Sequence, residues 1–155
     1  MVSEEIKDKV KNLYIQKKYE EVIEVSEKYT LPEERPSGLI NLIGISYYLK
    51  KNPTKEDINI ALSSFENAYF KEKNSIHGLN AIKNLVIVGI KTSNIFKEYV
   101  EFLTKAKNYY LEASIYFENN KEFLQTGILL FTYLLDKKKI KEIVNKILSN
   151  SIDSK

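Results

Sequence analysis

The chain contains no cysteine and no tryptophan, and among its 155 residues it has one histidine, one arginine and one methionine. Without cysteine there are no disulfides and no thiolate metal sites, and the redox environment of the chain is left undetermined. A lone histidine, His77, has no second histidine nearby with which to build a metal site or an acid–base pair, so an exposed or capping role is the expectation for it. Arg35 is the sole arginine, so the formal charge of +3 rests on lysine. Lysine lacks the planar fork that grips phosphates or base edges at two points, and no nucleic-acid partner is expected. Glycine (5) and proline (3) are sparse, which leaves few places where a helix must stop.

Long apolar runs are missing too. The best, Leu85 to Ile90, ends at Lys91, far short of the roughly 20 residues that cross a bilayer. Glu4, Glu5 and Asp8 stand where a secretory leader would carry basic residues. A soluble, cytoplasmic protein without a membrane partner is the expectation. Apolar residues make up 43% and charged residues 29%, a globular balance.

What is present is helical periodicity. Val10, Leu13 and Tyr14, then Tyr19, Val22, Ile23 and Ser26, mark apolar faces on two helices joined by a turn at Gln16 to Lys18. Ser3 is placed to cap the first. Thr30 to Pro36 reads as a connection. A third helix is expected from Leu39 to Lys50, and Thr54 with Asp57 reads as a capping box opening a fourth. A fifth is expected from Ser75 to Lys91. Ile95, Tyr99, Phe102, Ala106, Tyr109, Ala113 and Tyr116 then predict one long sixth helix capped at Asn94. A seventh (Phe123 to Leu135) and an eighth (Ile140 to Leu148) follow, with Lys137–Lys139 as the hinge. Strand alternation is not seen. The hairpins so defined are 3–29, 37–71, 75–118 and 121–149, one domain over 1–150, with 151–155 a frayed tail. Aligning their second helices places Val22, Ala61, Tyr99 and Ile143 at equivalent positions, at intervals of roughly 40 residues, the mark of a repeat array.

Ile43-Gly44, Tyr47, Ala61, Phe65 and Ala68 resemble the tetratricopeptide repeat, and Lys18 to Glu24 looks like that family's turn into a second helix. The family period is about 34 residues; here extra residues surround Pro53, and Ile87 stands where the third repeat would carry its glycine. The resemblance implies an all-α, right-handed α-solenoid of about four antiparallel helix pairs. It also implies a concave groove that holds an extended peptide or a partner helix. Helix register places Asn41, Ile45, Tyr48 and Leu49 from one hairpin, and His77, Asn80, Asn84 and Val88 from the next, on that groove. Asparagine amides offer both donors and an acceptor and so suit a peptide backbone. The expected function is therefore a non-catalytic interaction module, alone or as the amino-terminal part of a larger protein such as a glycosyltransferase or sulfotransferase. The other readings are a peptide-sensing regulator and a small helical enzyme, although no catalytic, cofactor or metal constellation is visible. Ile143, Ile147 and Leu148 near the chain end favour either truncation of a longer array or self-association. The run Lys137–Lys139 with Lys141 is read as a solvated turn, its alternative being contact with an anionic surface.

Overall fold

A computed structural model describes residues 1–153. Among them there are eight α-helices and no strand: α1 (Glu4–Ile15), α2 (Tyr19–Tyr29), α3 (Ser37–Leu49), α4 (Lys55–Lys71), α5 (Ile76–Ser93), α6 (Val100–Phe117), α7 (Lys121–Tyr133) and α8 (Lys137–Asp153). Chain contacts divide it into two compact units, Met1–Asn84 and Leu85–Lys155.

In the first unit, α1 packs on α2, α2 on α3, and α3 on α4. The caps behave as local chemistry dictates. The Ser3 hydroxyl accepts the Ile6 N–H at 3.2 Å. Thr54 and Asp57 exchange bonds reciprocally, the Thr54 Oγ1 accepting Asp57 N–H at 3.1 Å and the Asp57 carboxylate accepting Thr54 N–H at 2.8 Å. Arg35 is spent on structure. Its Nε donates to Thr30 Oγ1 at 2.8 Å and its Nη2 to the Ser26 carbonyl at 3.4 Å, closing the end of α2 and fixing the connection to α3. Val2, Val10, Val22, Leu39 and Ile43 form one buried apolar cluster among α1, α2 and α3.

The α3–α4 pair is the most extensive helix contact. Ala61, Phe65 and Ala68 are fully buried, and a Cβ on Gly44 would lie 2.9 Å from the Phe65 ring. Glycine here is what lets the aromatic lie against the α3 backbone. In the second unit a Cβ on Gly89 would lie 3.0 Å from the Leu103 side chain, while one on Gly127 would strike the Tyr110 ring first and then Ile143 Cδ1 at 2.9 Å.

Corrections to the expected helices fall in the second unit. The predicted long sixth helix is broken. α5 ends at Ser93, a 3-10 turn covers Lys97–Tyr99, and α6 begins at Val100, so Asn94 caps nothing. Thr92 and Ser93 bond back to carbonyls of their own helix, at 2.8 Å to Val88 and 3.0 Å to Ile90, which favours termination. The strict four-three spacing also misled. It drifts about 20° per heptad around a straight helix, and its end members Ile95 (73% exposed) and Tyr116 (45%) lie off the packed face. Tyr110, not Tyr109, is the buried tyrosine between Ala106 and Ala113. It stacks on Phe123 at 4.0 Å and donates to the Phe123 carbonyl at 3.1 Å, and burial raises its pKa. The hinge before α8 is Leu134 to Asp136. Lys137–Lys139 already belong to the helix, since the Asp136 carboxylate accepts Lys139 N–H at 3.0 Å as its cap. α8 continues to Asp153, through the first part of the expected tail; residues 154–155 lie outside the described residues.

Candidate functional site

In the first unit, one face of α1, one of α3 and residues 76–84 of α5 enclose an open groove of about 550 Å³. Its position follows from how α5 begins. Ser75 accepts the N–H groups of His77 and Gly78. A side chain at Gly78 would strike the carbonyls of Glu72 and Lys73, so only glycine lets α5 turn back so tightly. The His77 imidazole lies over Gly38, where a Cβ would come within 2.9 Å of Cε1. Asn41 Nδ2 then donates to the His77 carbonyl at 2.9 Å, tying α3 to α5.

Leu39, Leu42 and Ile45 form the floor. Glu4, Lys7, Asp8 and Lys11 of α1 form one wall, with Tyr14, whose pKa is raised by burial and then by neighbouring Tyr19. Lys7 pairs with Glu4 at 3.1 Å; among the described residues Asp8 and Lys11 have no ion-pair partner. The opposite wall is His77, Asn80, Lys83 and Asn84.

Five of the eight residues expected on a groove line this one: Asn41, Ile45, His77, Asn80 and Asn84. Tyr48, Leu49 and Val88 do not; Val88 is buried in the second unit, and Tyr48 is half-buried, which raises its pKa. The asparagines differ among themselves. Asn41 is 7% exposed and committed to the His77 carbonyl, with its Oδ1 enclosed and unpaired. Asn80 and Asn84 are partly exposed, and their side chains bond to no other described residue. The α1 wall is absent from the sequence expectation, which drew on the buried stripe of that helix alone. Its signal was available, since positions 4, 7, 8 and 11 recur at helical steps.

A smaller cavity of about 380 Å³ in the second unit lies over Tyr110, Phe123 and Ile143. Its rim charges are already matched, Lys139 with Glu142 at 3.5 Å and Lys146 with Glu118 at 3.2 Å. Among the described residues no group of three histidine or acidic side chains could hold a metal ion, and no helix is long and apolar enough to cross a membrane. No protein-family model, curated protein or solved structure matches the chain.

Proposed function

We propose that this chain is a non-catalytic, cytoplasmic peptide-binding module built from tetratricopeptide-type hairpins, with the first-unit groove as its binding site. The observation that carries the reading is the pair of unengaged amides, Asn80 and Asn84, facing a charged wall across an apolar floor. They stand one helical turn apart, a rise of about 6 Å. Two residues of an extended chain span about 6.6 Å, so main-chain amide groups two residues apart on one peptide can meet the two side chains, each offering donor and acceptor. Leu39, Leu42 and Ile45 would receive alternate side chains, and Lys11 and Asp8 would set the preference for charge. The contact between a helix glycine and a large side chain of the next helix, at Gly44 and again at Gly89, supports the repeat reading. The module serves alone or within a longer protein.

Selecting random 12-residue display peptides on the full chain tests this. Binders should lose at least tenfold in affinity for the Asn80→Ala/Asn84→Ala variant, whose melting temperature should match that of the parent. Failure to select any peptide, or unchanged affinity in the double variant, would remove the groove as the site.

A further inference from the structure

The turn into α8 breaks two local rules side by side. In the α1–α2 turn the Lys18 N–H bonds the Leu13 carbonyl at 2.9 Å, with Lys17 at φ 60°. The α7–α8 turn repeats that pattern. The Asp136 N–H bonds the Phe131 carbonyl at 2.9 Å, and the left-handed position is held by Leu135 at φ 57°. Glycine or asparagine suits such a position and leucine is disfavoured, yet Leu135 is 81% exposed and gains little from packing. Immediately after it, Lys137, Lys138 and Lys139 occupy the first turn of α8, where the helix dipole repels cations. Asp136 offsets this as the cap and Glu142 pairs with Lys139. Lys137, Lys138 and Lys141 have no ionic partner among the described residues.

These residues share one surface. Lys137, Lys141, Val144 and Leu148 recur at steps of four, three and four, and all are exposed, Leu148 at 57%. The stripe runs about 16 Å along the helix, basic at its start and apolar beyond, while Ile143 faces inward against Gly127. Local rules broken together, without a gain inside the fold, point to an external partner. Lysine charge beside protruding leucines matches the surface of an anionic bilayer, where ammonium groups meet headgroups and the leucines reach the acyl boundary. A phosphate backbone would be met more strongly by arginine, which is absent from this surface.

We propose that the exposed stripe of α8, with Leu135 at its head, docks peripherally and reversibly on membranes rich in anionic phospholipid. This is independent of the groove, and it departs from the expectation of no membrane partner, which addressed only spanning segments.

The test is sedimentation of the full chain with vesicles of phosphatidylcholine alone or with 30% phosphatidylserine, about that of an acidic leaflet. Binding is expected only with phosphatidylserine and should fall with added salt. Each lysine near such a surface contributes about fivefold, so Lys137→Gln/Lys138→Gln/Lys141→Gln should lower the partition coefficient about 100-fold. Leu135→Asn should lower it while raising the melting temperature by about 2–4 °C, because the turn is relaxed. That opposition separates a binding role from a structural one. The proposal is overturned if the parent fails to pellet with phosphatidylserine vesicles, or if the triple variant pellets equally. It is also overturned by binding to polyanions such as RNA but not to vesicles, or by a dimer that covers Leu148 and leaves vesicles unbound.

Discussion

Gly44 and Phe65 form the contact most exposed to single substitutions. Phe65 has no solvent exposure and lies flat against the α3 backbone, so Phe65→Ala should cost about 3–5 kcal/mol through the cavity it leaves. Gly44→Ala acts from the other side. Its new methyl would meet both the Phe65 ring and Ser64 Cβ at 2.9 Å, and neither can yield easily, so a loss of about 1–3 kcal/mol is expected. Urea unfolding measures both; a Gly44→Ala chain as stable as the parent would show that the two helices are less closely seated. Both residues were identifiable from their spacing. The asparagines were not. Asn41 and Asn84 look equivalent in their sequence neighbourhoods, Asn-Leu-Ile and Asn-Leu-Val, but one ties α3 to the His77 carbonyl and the other stands open in the groove. Which amide is consumed depends on where the first turn of α5 arrives, and no local pattern encodes that.

At the scale of the element, the capped starts of α1 and α4 were readable, because a cap is formed by residues within four positions of one another. Thr54→Ala should cost about 1 kcal/mol, within the usual range for losing such a cap. Burial tends to raise the pKa of Asp57, but bonds from Thr54 and Lys50 outweigh it and the carboxyl is held below its ordinary value. A depressed pKa contributes stability above the unfolded pKa, and that contribution fades as pH falls through the folded one. Asp57→Asn should therefore flatten the acid limb of the stability curve below about pH 4. Tyr47 acts at the other extreme. Burial, then the 2.6 Å bond to Glu27, pushes its pKa to about 12. The raised value favours the fold while the unfolded phenol is still protonated, and stability is lost as pH climbs from about 10 towards 12. Tyr47→Phe should show a shallower alkaline decline in urea midpoints between those limits. Helix ends were harder to read. The break after Ser93 and the start of α8 at Lys137 depend on hydroxyl back-bonding and on a left-handed leucine, devices that leave no apolar period behind.

For the whole molecule, helices that pack on their neighbours predict uneven local stability. α3 and α4 share the broadest contact, so their amides should exchange most slowly, on the scale of global unfolding. The turn around Leu134 to Asp136, with an exposed leucine held at φ 57°, should open earlier. Hydrogen exchange followed by mass spectrometry reads this directly, and slowest exchange in α8 would contradict it. The peptide-selection result with Asn80 and Asn84 belongs at this scale too, because the groove exists only when three separate helices are assembled.

Composition and periodicity alone determined that the described chain is helical, where most turns fall, which residues open α1 and α4, and that Ala61, Phe65 and Ala68 lie inside. Those properties arise from interactions between residues a few positions apart, so the order of residues suffices to specify them. Tertiary structure decided which glycine faces which large side chain, and which of the groove's amides remain unengaged. It also placed the charged wall of α1 opposite α5. Each of these requires helices distant in sequence to meet at a definite depth and rotation, and the depth is set by side-chain volumes at the contact.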